Sequence, residues 1–292
     1  MLHDDSNEFS APSRLIDGAA LRAQLASRFA DASLDCVAAT GSTNSDLQQL
    51  LRGRDPFDTR IRVRQADLQT AGRGRLGRSW QAGAGDALQF SVAWPLPRPL
   101  TALGGLSLCC GLAVATALQP FANAGATPVL LKWPNDVLVN GAKLAGILLE
   151  IAAPAAGAAL SGPTWIVIGI GINLRPQPEL AKALGRQLAA VAEFAPEATA
   201  TEVLAAVLNA LAAELDAFGR AGFGAAQARW QQRDAYAGQT IQIIDGDTVK
   251  LVGRNAGVDA DGQLLVDTGD GIVPVLGGDV SLRIGAQAKG TP

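Results

Sequence analysis

The sequence predicts an α/β domain over residues 1–235 followed by a small all-β domain over residues 236–288. Up to residue 235, segments with helical apolar spacing alternate with short strand-like runs. From Tyr236 onward, short apolar runs (Ile241–Ile244, Val249–Val252, Leu264–Val266, Ile272–Val275, Val280–Ile284) are separated by Asp-Gly or Gly-Gly turns. That texture marks a small barrel or sandwich. The chain has 292 residues, 48% of them hydrophobic and 17% charged, which suits one large core with a small appended unit.

The elements follow in order. Leu15, Leu21, Leu25 and Phe29 predict a helix over residues 14–30. Asp35–Ala39 reads as a strand ending at Thr40-Gly41-Ser42-Thr43-Asn44. A helix follows through Asp46–Leu51, with the side-chain oxygen of Ser42 or Thr43 as its N-cap. Ile61–Ala66 and Leu88–Ala93 are strands. Leu103, Leu106, Cys110, Val114 and Leu118 predict a buried helix around residues 102–122; its Thr, Ser and Gly content argues against a membrane span. Residues 129–149 read as a hairpin and Trp165–Ile172 as a buried strand. Helices are expected over residues 179–193 and 200–218.

Composition excludes several chemistries. The net charge of -3 gives no broad nucleic-acid face. The one histidine, His3, lies in a polar stretch, residues 1–13, that reads as disordered. This removes a Ser-His-Asp triad, a zinc site and histidine acid–base catalysis. Cys36, Cys109 and Cys110 have no C-x-x-C spacing and read as reduced, buried small hydrophobes of a cytoplasmic protein. No signal peptide is visible.

Residues 69–80 concentrate the chemistry. Three glycines and three arginines lie between Gly72 and Arg78, and Trp80 follows. Glycines let backbone approach a ligand, arginines fork onto phosphate or carboxylate, and an indole offers a ring face. The segment spells Gly-x-Gly-x-x-Gly, but no helix opens inside it, so a dinucleotide turn is rejected. An anion-binding loop fits better; its bland alternative is a solvated basic loop.

Two further segments support a site. Asn140-Gly141 between apolar runs is a strong hairpin signal. Counted outward, Val139 faces Ala142, Leu138 faces Lys143 and Asp136 faces Ala145. Lys132, Asp136 and Lys143 then share one face, and Gly146 leaves room above the sheet. The strand at 166–174 carries Gly169 and Gly171 and reaches Asn173. Glycines there signal close approach of a ligand or tight packing.

Gly-Ser-Thr-Asn (41–44), Gln-Thr-Ala-Gly-Arg-Gly-Arg-Leu-Gly-Arg-Ser-Trp (69–80), Lys-Trp-Pro-Asn-Asp (132–136) with Lys-Leu-Ala-Gly-Ile-Leu-Leu-Glu (143–150), and Gly-Ile-Gly-Ile-Asn (169–173) occur in this order. The set resembles the biotin protein ligase family over roughly residues 35–285. The resemblance implies a catalytic domain related to class II aminoacyl-tRNA synthetases and a C-terminal SH3-like β-barrel. It implies an ATP- and Mg²⁺-dependent ligase that makes biotinyl-5′-AMP and passes biotin to a lysine of a biotin carboxyl carrier protein.

By the matched positions, Ser42, Thr43 and Gln69 resemble biotin-binding residues, with Asn44 ordering their turn. Arg73, Gly74 and Arg75 resemble the loop that closes on carboxylate and phosphates, and Lys143 the bridge between them. Arg75, Arg78, Trp80, Asn135, Asp136 and Asn173 fall at nucleotide positions, Trp80 stacking on adenine. Two roles stay open for Asp136: orienting Lys143 or assisting Mg²⁺.

Two features depart from the family pattern. About 40 residues precede Gly41, too few for the N-terminal DNA-binding winged helix of bifunctional members, so a monofunctional ligase without DNA is expected, as monomer or homodimer. The segment from Pro274 to Arg283 also lacks a tryptophan often found after the proline. The competing readings are a lipoate–protein ligase and a biotin-responsive regulator.

Overall fold

The computed structural model describes residues 13–53, 55, 58–122, 127–152, 163–277 and 281–284. The stretch expected to be disordered, with His3, lies outside these residues apart from Ser13. Ser13 is ordered, because its hydroxyl donates to Asp67 and its neighbours Arg14 and Leu15 donate backbone N–H groups to the same carboxylate.

The larger sheet holds β1 (Ser33–Thr40), β2 (Arg62–Gln69), β3 (Ala87–Leu96), β4 (Val129–Lys132), β5 (Asp136–Val139), β6 (Ala142–Ile151) and β7 (Thr164–Asn173). Its order is β1-β2-β3-β7-β6-β5-β4. The β1–β2 pair is parallel, as the crossover helix α2 (Thr43–Arg52) between them requires; the other pairs are antiparallel.

The central strands are apolar on both faces because both faces are covered. Phe90, Val92 and Trp94 of β3 and Ile166, Ile168 and Ile170 of β7 join the main core with α3 (Leu106–Leu118) and α5 (Ala200–Ala221). On the opposite face Ala93 and Val167 pack against Leu47 and Leu51 of α2. Helix α3 is apolar almost all round, as a helix between two layers must be. Among the described residues no helix is long and apolar enough to cross a membrane.

Several boundaries differ from expectation. Helix α3 starts at Leu106 rather than near 102, because Gly105 takes φ 72° and a side chain there would collide with Phe223. The helix expected over 179–193 is α4 (Pro178–Leu184), which stops at Gly185 in a left-handed cap. The first helix is short, α1 (Gly18–Gln24), with a 3-10 turn at Ser27–Phe29. The expected hairpin over 129–149 is a three-stranded meander, since the chain also reverses between β4 and β5. The long helix α5 agrees with the reading, and Thr199 and Glu202 form a reciprocal capping box at its start.

After α6 (Gln227–Gln231) come β8 (Thr240–Asp245), β9 (Thr248–Val258), β10 (Leu264–Asp267), β11 (Ile272–Val275) and β12 (Ser281–Ile284). They form an antiparallel sheet in the order β11-β10-β9-β8-β12. Val280, read as the start of the last strand, lies outside the described residues. Ile241, Ile243, Leu264, Val266 and Leu282 belong to the same buried cluster as the large sheet.

Candidate active site

A cleft opens over the face of the large sheet that carries α2, and its floor is bare by sequence. Gly146 on β6 pairs with Gly171 on β7, and Gly169 lies two residues away on the same face. A Cβ on Gly171 would stand 2.4 Å from the Trp80 ring, and one on Gly169 2.4 Å from Asn44 Oδ1. The two glycines of Gly-Ile-Gly-Ile-Asn therefore seat one aromatic and one amide side chain. Trp80 is half-buried, and its indole N–H has no hydrogen-bond partner among the described residues.

One end of the cleft is neutral and polar. Ser42 occupies the N-cap position of α2 but makes no capping bond. Gln69 does so instead: its Oε1 accepts from Thr43 N at 2.8 Å and lies 3.1 Å from Thr43 Oγ1. A distant strand end caps the helix, which leaves the Ser42 side chain to the cleft. Gln69 Nε2 donates to Gln89 Oε1 at 3.0 Å. Thr43 Oγ1 lies 2.7 Å from Ser91 Oγ, and Ser91 donates to Asn44 Oδ1.

The other end is cationic. Lys143 donates to Asp136, and the two side chains are only 14% and 19% exposed. The expected register needs correction here. Val137 pairs with Ala145 and Asp136 with Gly146, because a bulge interrupts the ladder between Val137 and Leu138. In an unbroken strand residues 143 and 146 would face opposite ways. The bulge puts Lys143 Nζ 3.0 Å from where a Gly146 Cβ would stand. Lys132 pairs across the sheet with Asp136, as the shared face requires. Burial pushes the Lys132 ammonium below its usual range, and Asp136 opposes that shift.

The Gly/Arg loop folds back on itself along one wall. Trp80 N donates to Gly72 O at 2.9 Å and Gly74 N to Arg78 O at 2.7 Å. Gly72 is required, since a Cβ would meet Trp80 O at 2.5 Å. Leu76 and Gly77 turn the chain at φ 58° and 70°. Arg73 is paired with Glu150. Arg75 donates to Asn135 Oδ1 at 3.3 Å and to the Gly277 carbonyl beyond β11. The small sheet thus reaches the cleft, where Leu282 also lines it.

Ser42, Thr43, Asn44, Gln69, Arg73 and Gly74 all line this cleft, as do Arg75, Arg78, Trp80, Asn135, Asp136 and Lys143. Asn173 does not. It is 3% exposed, and its amide donates to the carbonyls of Lys143 at 3.1 Å and Ala189 at 3.0 Å. It borders a side pocket shared with Trp80, Lys143 and Arg186. Sequence reasoning missed Arg186, Ser91 and Glu150 and left Lys132 without a role. Glu150 was visible at the end of the Lys-Leu-Ala-Gly-Ile-Leu-Leu-Glu run. Nothing local marks Arg186, which arrives because residues 187–189 pair with the backbone of Lys143.

Fold and cleft define an α/β protein whose cleft joins a neutral polar end, a cationic end and an aromatic wall. Comparisons with known proteins give the family. Residues 41–173 match the biotin/lipoate A/B protein ligase family, and residues 236–283 the biotin protein ligase C-terminal domain. The biotin–[acetyl-CoA-carboxylase] ligase of Mycobacterium tuberculosis is 36% identical over 85% of this chain and 88% of its own length. The bifunctional ligase/repressor BirA of Escherichia coli is 34% identical over 75% of this chain, which spans 65% of BirA's length. The biotin protein ligase of Aquifex aeolicus, solved with biotin and ATP, has a TM-score of 0.71 at 27% identity, covering 87% of this chain and 99% of that one. The chain belongs to the biotin protein ligase family.

Proposed function

We propose that this cleft activates biotin with ATP and passes it to a protein lysine. The biotin carboxylate attacks the α-phosphorus, forming biotinyl-5′-AMP and releasing pyrophosphate. A lysine amine of a biotin carboxyl carrier protein then attacks the mixed anhydride; the amide forms and AMP leaves. Neither step needs a protein nucleophile. This agrees with the cysteines, since burial pushes the Cys109 thiol up to about 12 and raises the Cys110 thiol as well.

The observation that carries this reading is the convergence of three kinds of chemistry on one cleft. Ser42, Thr43 and Gln69 suit a neutral two-sided ureido head. Lys143, held by Asp136, supplies the cation where carboxylate and α-phosphate meet and negative charge grows. Trp80, on its glycine floor, suits adenine, with Asn135 and Arg78 beside it. Arg73, Gly74 and Arg75 close over the anhydride. Asn173 supports Lys143 from behind through its backbone carbonyl.

Mg²⁺ enters as part of the substrate, MgATP. Asp136, on the cleft wall, is the carboxylate there that could assist the ion. In this reading residues 1–235 are the catalytic unit and 236–288 the C-terminal unit. The enzyme acts in the cytoplasm on a carrier protein, as monomer or homodimer, without DNA.

The test is incubation with MgATP and biotin, read by mass spectrometry. Biotinyl-adenylate is expected, followed by a biotin mass gain on an added carrier domain. Activation of lipoate in preference to biotin would overturn the reading.

A further inference from the structure

Trp133, in the Lys-Trp-Pro-Asn-Asp run, is buried and touches the small β unit at two separate points. Its Nε1 donates to Gly262 O at 3.1 Å, in the turn between β9 and β10. Gly277, after β11, lies against the ring: a Cβ there would stand 3.5 Å from Trp133 Cζ2 and 3.4 Å from Pro134 Cβ. Gly262 can take its place only as glycine. Its φ is 77°, and a Cβ on it would stand 2.5 Å from Gly105 Cα, where α3 begins.

Gly277 O is also an acceptor for Arg75 of the Gly/Arg loop. Arg75 meets a second acceptor, Asn135 Oδ1 at 3.3 Å. Three bodies therefore join pairwise: the loop, the β4–β5 turn and the small β unit. The turn is the fixed corner, because Asn135 Nδ2 donates to Ile147 O at 2.8 Å and Ile147 N to Asn135 O at 3.0 Å. The small unit has its own anchors on its far side, Gln227 and Gln231 on Val258 O and Asn255 on Asp234. Loss of the Trp133 contacts thus frees the corner at residue 277 without undocking the sheet. Neither Gly262 nor Gly277 lines the ligand cleft; both line a crevice behind it with Arg75, Trp133 and Pro134.

We infer that Trp133 is a positioning residue: it seats the small β unit so that the Gly277 carbonyl holds Arg75 and keeps the Gly/Arg loop against the cleft. A carbonyl on a guanidinium makes a charge-assisted bond, one of the stronger kinds. The loop's other tie, Arg73 to Glu150, is a pair with Arg73 43% exposed, and such pairs are weak. The consequence for retention of the adenylate rests on the cleft being a biotin-activating site. The tie itself does not, since it is made by the protein alone.

The experiment compares the full chain with Trp133→Phe, Arg75→Ala and the double variant, by two readouts. The first is nicking by trypsin without ligand, followed by mass spectrometry at Arg73 and Arg78, which all variants keep. Trp133→Phe is expected to speed nicking there about three- to tenfold, with cleavage elsewhere in the chain unchanged. The second is release of preformed biotinyl-adenylate. Trp133→Phe should speed it by a similar factor, and the double variant should release within about twofold of Arg75→Ala alone, because both changes break one tie. Unchanged nicking in Trp133→Phe, faster cleavage at all sites alike, or a full Trp133→Phe effect on release in the Arg75→Ala background would overturn the inference. Gly262→Ala, which drives its turn off Gly105, is expected to reproduce Trp133→Phe and decides the matter should that variant fail to fold. A parent chain that makes no biotinyl-adenylate would refute the biotin reading, while the trypsin comparison still judges the tie.

Discussion

Lys143 and Trp80 show how single side chains acquire their roles from what lies under them. Lys143 is part-buried against Asp136, so a phosphate in the cleft meets a cation already held in place. Preorganisation of this kind is what stabilises growing charge. Lys143→Ala is expected to slow adenylate formation about 10²-fold or more, measured by biotin-dependent pyrophosphate exchange; unchanged exchange would remove Lys143 from the mechanism. Gly171 works by omission. Gly171→Ala forces a methyl to within 2.4 Å of the Trp80 ring. Overpacking of this sort costs about 1–3 kcal/mol, and here the indole must lift from the floor. The expected outcome is a raised KM for ATP with the biotin KM little changed. Equal ATP affinity in variant and parent would show that Trp80 is no part of the nucleotide seat.

Among the elements, the Gly/Arg loop and helix α3 carry separate expectations. The loop is tied to the small sheet through Arg75 and Gly277 and to β6 through Arg73 and Glu150. Arg75→Ala releases one tie and removes a cation from the wall of the cleft. Faster escape of biotinyl-adenylate is expected, measured as a release rate after mixing with excess unlabelled biotin. Helix α3 carries Cys109, whose thiol burial pushes up to about 12. Cys36, only half-buried, is also raised, to about 11, by burial first and by Asp35 and Asp67 after it. A thiol held protonated in the folded state gives full stability below its ordinary range. That stability is lost as pH rises from about 9 toward the folded value. Denaturation under reductant should therefore show stability falling above about pH 9, with a shallower fall in Cys109→Ala. The native thiols of α3 should resist alkylation at neutral pH.

At the scale of the molecule, both sheets share one buried cluster. Trp133 of the turn between β4 and β5 donates to Gly262 O at 3.1 Å, and Leu282 of β12 lines the cleft. A chain ended at residue 235 would expose Ile241's and Leu282's packing partners and lose one wall of the site. Calorimetry of the intact chain is expected to show one cooperative transition, with van't Hoff and calorimetric enthalpies equal. Two resolved transitions would mean that the small sheet is an independent unit.

Much of the site was legible because its chemistry is contiguous. The Gly/Arg loop, Lys-Trp-Pro-Asn-Asp and Gly-Ile-Gly-Ile-Asn each place donors, cations or bare backbone within a few residues. Strand and helix periods likewise predicted the central sheet, α2, α5 and the small β unit. What local pattern could not supply were relations between distant segments. Gln69 rather than Ser42 caps α2, since the end of β2 reaches the helix only in the folded sheet. Lys143 and Gly146 share a face only through a bulge that no alternation rule announces. Asn173 lies beneath Lys143, and Arg186 beside it, because residues 187–189 pair with β6. Glu150 gained two partners from 77 and 106 residues away in sequence. Side-chain chemistry and period are properties of the chain. Register and capping partners depend on which segments meet, and packing alone decides that.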